Sequence, residues 1–284
     1  MRTLQLRPHR QCRPFSTRNN SSRLRELNSS KCISDSISSL SHTSYLLQQN
    51  RLIRTSPVGS LVVYDLSKCV VPYEKAWNFQ KKQVAEYANS IDDEVDRVLL
   101  LQHPPVYTLG TGSTEGHLKF DINHAKLPVY RTERGGEVTH HGPGQLVMYP
   151  ILNLRNHKQD LHWYLRMLEE VVILALDRVS GLRGYRVEGL TGVWVDGCKV
   201  AAIGVRASRW ITYHGLALNV VNDLAPFQDI VPCGISDRPV GSVAGLLEAE
   251  GRAASGSSAL LPEYSFALLE ALGEVFGLRL VYNR

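Results

Sequence analysis

The chain has 284 residues, a formal net charge of +5, 43% hydrophobic residues and 21% charged ones. That is a globular mixture, long enough for one large domain or two small ones and for a core that needs no disulfide or metal staple. No run of 18 apolar residues occurs, so no helix of this sequence is expected to span a membrane.

The first fifty residues hold seven Arg and one Lys (Arg2, Arg7, Arg10, Arg13, Arg18, Arg23, Arg25, Lys31) against Glu26 and Asp35, a net of +6. The remaining 234 residues hold 24 basic and 25 acidic side chains, a net of −1. The body thus has no positive excess with which to neutralise phosphates, and nucleic acid is not an expected partner. Eleven serines, many arginines, few acids and no apolar h-region predict an organelle transit peptide over residues 1–58. A plain disordered tail is the other reading. Residues 59–284 are the expected folded domain. Of five cysteines, Cys69, Cys198 and Cys233 lie in this body. Three with no C-x-x-C pair argue against a disulfide framework and the usual zinc spacings, and leave room for a reactive thiol.

Leu61-Val62-Val63-Tyr64 predicts a strand. Tyr73, Ala76, Trp77, Val84, Tyr87, Ala88 and Ile91 recur at helical steps, and Asp92-Asp93-Glu94 reads as a solvated loop. Val98 to Leu101 predicts a buried strand stopped by Pro104-Pro105. Gly110-Thr111-Gly112-Ser113-Thr114-Glu115-Gly116 is glycine-rich, but its spacing is not that of a nucleotide loop. Pro128 to Arg131 predicts a short strand, and Leu146 to Leu152 a strand with an edge or bulge proline. Leu161 to Val179 predicts the longest helix. Thr191 to Val195, Asp196-Gly197 and Lys199 to Arg206 predict a hairpin with a type I′ turn. His214 to Val220 predicts another strand, residues 251–258 a flexible loop, and Pro262 to Phe276 a final helix with proline in its first turn. Antiparallel-compatible strands with helices between groups predict an α+β fold: a mixed or antiparallel sheet with helices packed on one face.

Chemistry-bearing residues concentrate in Arg134-Gly135-Gly136-Glu137-Val138-Thr139-His140-His141-Gly142-Pro143-Gly144-Gln145. Glycines there let backbone approach a ligand, and the histidines offer imidazoles; a surface turn explains the same composition. Cys233 stands between Pro232 and Gly234, presented on a turn or buried as a small hydrophobe. Lys199 shares a face with Ala201 by strand alternation and either reaches into a cavity or sits on the hairpin surface. A zinc site from His103, His117, His124, His140 or His141 lacks a recognised spacing.

Together, five blocks in order resemble the octanoyl-acyl carrier protein:protein octanoyltransferase family of lipoate biosynthesis. They are His103-Pro104-Pro105-Val106-Tyr107-Thr108, Arg134 to Gln145 with Tyr149-Pro150-Ile151, Gly197 to Gly204, His214 to Asn219, and Pro232-Cys233-Gly234. The resemblance implies the biotin/lipoate protein ligase catalytic-domain fold over about residues 60–280. It places the acyl-thioester cysteine on Cys233 and the lysine that lowers its pKa on Lys199. It places substrate-lining residues on Arg134, Gly135, Gly136, Glu137, Val138, Thr139, His140 and His141, on Ala202, Ile203 and Gly204, and on Gly215, Leu216 and Ala217. It leaves the roles of His103, His141 and His214 open. It implies octanoyl-acyl carrier protein as donor and, as acceptors, lipoyl domains of 2-oxoacid dehydrogenase E2 subunits or the glycine-cleavage H protein. No cofactor or metal is implied, and a monomer is expected. The leader favours the chloroplast stroma of a plastid, with the mitochondrial matrix as alternative. An ATP-dependent lipoate or biotin ligase and a non-catalytic carrier-protein-binding module are the competing functions. Arg131, Arg134, Arg206 and Arg209 are the expected docking patch for acidic partners.

Overall fold

A computed structural model describes residues 59–89, 95–232, 238–252 and 257–283. The first half runs β1 (Gly59–Val70), α1 (Tyr73–Asn89), β2 (Val95–Gln102), β3 (Val106–Leu109), β4 (Val129–Arg131), β5 (Val138–His141) and β6 (Gln145–Ile151). The second runs α2 (Leu161–Ser180), β7 (Val193–Val195), β8 (Cys198–Ser208), β9 (Ile211–Asn219), α3 (Val243–Ala249), α4 (Ser257–Phe276) and β10 (Leu278–Tyr282). Seven strands form a mixed sheet in the order β10-β1-β2-β6-β9-β8-β7. Within it β1 is parallel to β10 and β2, and the later pairs are antiparallel. A second sheet has the order β4-β3-β5.

Strand alternation divides the core in two. Val98, Leu100, Leu146, Met148, Leu216 and Leu218 face Tyr164, Leu168 and Val172 of α2 and Tyr264, Leu268 and Leu272 of α4. Leu99, Leu101, Val147, Tyr149 and Ala217 face the other way, against Ala76 and Phe79 of α1. The helices therefore cover both faces of the sheet, where the sequence reading expected one. The reason is visible in β2 and β6: both are apolar at odd and even positions, and such strands must be buried on both sides.

Local signals hold where their chemistry is specific. Asp160 caps α2 by accepting the Trp163 N–H, and Gly181 ends the helix in the left-handed region. Asp196 and Gly197 both take positive φ, as a type I′ hairpin requires. The β8–β9 hairpin turns the same way on Arg209 and Trp210, residues that carry no such signal. The last helix starts at Ser257, so Pro262 lies inside it and not in its first turn. The structure also adds β3, β5, α3 and β10, four short elements without a readable period. Ile91, the cluster Asp92-Asp93-Glu94 and residues 253–256 of the expected loop lie outside the described residues.

Candidate active site

A cleft opens on the α1 side of the large sheet, where the small sheet stands against it. Its walls come from α1, β5 with the loop before it, β6, β8 and β9. Tyr73 begins α1; Arg134, Gly136 and Glu137 precede β5; Thr139 and His141 lie on β5; Val147 and Tyr149 lie on β6. Ala202, Ile203 and Gly204 of β8, with His214, Gly215, Leu216 and Ala217 of β9, complete it. Gly204 and Gly215 are paired across the two strands. A Cβ on Gly215 would stand 2.2 Å from the Met148 carbonyl oxygen, and one on Gly204 would stand 2.7 Å from that of Gly135. Hydrogen at both positions is what lets the neighbouring backbone close on the strand pair.

The polar part of the cleft is tightly oriented. The Arg134 guanidinium turns inward and donates to the carbonyl oxygens of Thr108, Gly135 and Glu137 and to Thr108 Oγ1. It is buried, so the docking patch expected at four arginines has Arg131, Arg206 and Arg209 exposed and lacks Arg134. His103 Nδ1 lies 2.7 Å from the Val71 carbonyl oxygen, which can only accept. Nδ1 therefore carries the proton and Nε2 accepts from the Tyr149 hydroxyl at 2.7 Å. His141 Nδ1 donates to Gln145 Oε1, and Gln145 Nε2 donates on to Asn219 Oδ1. Asn219 Nδ2 in turn donates to the Gly241 carbonyl oxygen. Burial pushes His103 and His214 down to about 4 and His141 well below its usual value.

His214 is the strained member. Extending the register from Met148↔Leu216 puts it across from Pro150, which has no N–H to give. The ladder opens there, and His214 takes φ 56. Its own N–H donates to Gln80 Oε1 of α1 at 2.7 Å. The ring is 1% exposed and lines the cleft, with Glu133 Oε2 at 4.0 Å from Nε2.

Lys199 stands early in β8, three residues before the stretch that lines the cleft. It is 7% exposed, which excludes the hairpin-surface reading. Its Nζ donates to the Thr191 carbonyl oxygen at 2.9 Å and lies 5.1 Å from the Trp194 ring centroid. Its backbone N–H and C=O bond Pro239 and Gly241, so the segment after Cys233 is zipped to it. On the other side Val231 donates to the His117 carbonyl oxygen. Cys233 itself lies outside the described residues. Cys198 is buried and disulfide-bonded, a cross-link that the spacing argument against a disulfide framework did not anticipate, because sequence spacing says nothing about tertiary pairs. Among the described residues no cluster of three or more His, Cys, Asp or Glu is placed to hold a metal.

Of the residues expected to line a substrate site, Arg134, Gly136, Glu137, Thr139, His141, Ala202, Ile203, Gly204, Gly215, Leu216 and Ala217 meet in this one cleft. Gly135, Val138 and His140 stand outside its wall. Val138 packs with Tyr107 and Phe227 behind β5, and His140 sits at 5.4 Å from Phe227 on that same face. Tyr73, Val147, Tyr149 and His214 line the cleft without having been expected there. Tyr149 and His214 lay within the quoted motifs, whereas Tyr73 carried only a helix-face signal.

The family model "Lipoyl protein ligase A/B catalytic domain" matches residues 72–263. A chloroplastic octanoyltransferase of Arabidopsis thaliana is 61% identical over 188 residues, 65% of this chain and 67% of that protein. An octanoyltransferase of Nostoc sp. is 50% identical over 228 residues, 79% of this chain and 96% of that one. A lipoate-protein ligase A bound with ATP shares the fold at TM-score 0.53 and 15% identity, covering 80% of this chain and 89% of its own. The chain belongs to the lipoyl protein ligase A/B catalytic family, and within it to the octanoyltransferases, which are acyltransferases.

Proposed function

We propose that the chain moves an octanoyl group from octanoyl-acyl carrier protein to a lysine of a lipoyl domain, by way of a thioester on Cys233. The Cys233 thiolate attacks the donor carbonyl, and the carrier thiol leaves as the new thioester forms. The acceptor amine then attacks that thioester, Cys233 leaves as thiolate, and the amine's extra proton is taken up. Exchange of one thioester for another is nearly isoenergetic and needs no ATP; amide formation makes the second step downhill. Lys199 as ammonium favours the thiolate, and its neutral form takes the proton from the incoming amine.

The observation that carries this reading is Lys199. It is a buried amine with one hydrogen-bond acceptor among the described residues, on the strand whose next residues line the cleft. Among the described residues, its other two N–H positions have no acceptor. The cleft fits the acyl chain: Val147, Ala202 and Ala217 supply an apolar wall. Burying methylenes there at ~0.8 kcal/mol each is enough to select chain length.

The chloroplastic Arabidopsis relative supports a plastid setting. In this reading residues 1–58 are the address and 59–284 the catalytic domain. Exposed Arg131, Arg206 and Arg209 are the side chains to receive acidic carrier and lipoyl domains. Purified chain should octanoylate an apo lipoyl domain from octanoyl-carrier protein without ATP. Lys199→Ala should lose at least about a hundredfold in rate. An absolute requirement for ATP, or full activity in that variant, would overturn the reading.

A further inference from the structure

Helix α2 turns an apolar face to the sheet, yet Glu169 on that face is 0% exposed. A buried carboxylate is costly unless its oxygens are satisfied, and an apolar residue of like volume generally serves stability better. Glu169 is fully engaged. Oε2 accepts from Arg166 at 2.6 Å and from Arg186 Nε at 3.1 Å, and Oε1 accepts the Gly192 N–H at 3.0 Å. Arg186 also pairs with Glu170 at the surface.

The Gly192 N–H and the Thr191 C=O belong to one peptide unit. The planar trans peptide points these two groups in opposite directions. The N–H goes to Glu169, and the C=O receives Lys199 Nζ at 2.9 Å. A carboxylate on the N–H polarises the amide and makes its oxygen a stronger acceptor for an ammonium. The unit needs glycine to stand there. Gly192 holds φ 137, and a Cβ there would stand 2.6 Å from both the Ala201 carbonyl oxygen and Lys199 Cε.

We infer that Glu169 is a positioning residue for Lys199, acting through the Thr191–Gly192 peptide. Arg166 and Arg186 lock the carboxylate, the carboxylate locks the peptide, and the peptide carbonyl fixes where the Lys199 amine stands. The inference deepens the reading that Lys199 takes part in transfer and rests on that reading for its consequence in catalysis.

The test compares Glu169→Gln and Glu169→Ala with the wild type, full chain, by two readouts. The first is trace acetylation of Lys199 by acetic anhydride at neutral pH, read by peptide mass spectrometry. The second is steady-state octanoyl transfer. Releasing the amine should raise Lys199 labelling several-fold in Glu169→Ala and less in Glu169→Gln, which keeps an acceptor oxygen. In Glu169→Ala kcat should fall by about tenfold or more while KM for the acyl donor stays within about twofold. Labelling unchanged in both variants would overturn the inference, as would a loss confined to KM. If Glu169→Ala fails to fold, Glu169→Gln decides by the same labelling. Full transfer by Lys199→Ala, with labelling of Lys199 still raised in the Glu169 variants, would sink the catalytic reading and leave the positioning intact.

Discussion

At the scale of single residues, the cleft proposed to hold the acyl chain has small side chains along its wall. Ala217 lines it from β9 beside Gly215 and is nearly buried. Ala217→Leu should shorten the slot by a few methylenes. Octanoyl transfer should fall at least about tenfold while transfer of shorter acyl groups holds, checked by competing donors of different length. Unchanged preference would place the chain elsewhere. Much of this lining was legible in the sequence because motif blocks name residues. What motifs do not carry is facing. On β5 strict alternation turns Thr139 and His141 to the cleft and Val138 and His140 to Tyr107, Leu109 and Phe227 behind it. A contiguous block cannot reveal that until the strand is paired. Arg134 illustrates the same limit: its charge looked available for docking, and its fork is spent on backbone carbonyls.

At the scale of elements, the site depends on an interruption. Pro150 on β6 meets His214 on β9, and α1 repairs the gap by accepting the His214 N–H on Gln80. Gln80→Ala should leave that buried donor unsatisfied and cost about 1–3 kcal/mol, measured by urea unfolding. Gln80→Glu, which keeps the acceptor, should recover part of it. A neutral Gln80→Ala would mean the N–H finds another partner. The sequence marked Pro150 as an edge or bulge residue, and of these two the edge alternative fails. β6 lies in the middle of the sheet, and the missing N–H falls where the β9 ladder is already open. Helix α1 was legible from its period. That it covers the second face of the sheet was not, because period reports which residues are buried and never against what. The β8–β9 turn on Arg209 and Trp210 was also invisible, since neither residue favours positive φ.

At the scale of the whole molecule, buried imidazoles tie stability to pH. His103, His140 and His214 are held at about 4 by burial, below their ordinary 6.5. Between those values the unfolded chain binds protons that the native chain does not. Their contribution is therefore complete above about pH 6.5 and is lost as pH falls to about 4. Urea midpoints should drop steadily through that window. His140→Phe, which keeps a ring between Tyr107 and Phe227, should flatten part of the slope without abolishing transfer. A slope identical to wild type would show that His140 titrates normally in the folded chain.

The central claim joins the whole fold to one bond: Cys233 carries the octanoyl group between donor and acceptor. Intact-protein mass spectrometry of the reduced chain mixed with octanoyl-carrier protein tests it most directly. The wild type should gain one octanoyl group, lose it on addition of apo lipoyl domain, and Cys233→Ala should gain none. An octanoyl adduct on Cys233→Ala, or a wild-type adduct that the lipoyl domain cannot discharge, would contradict the account.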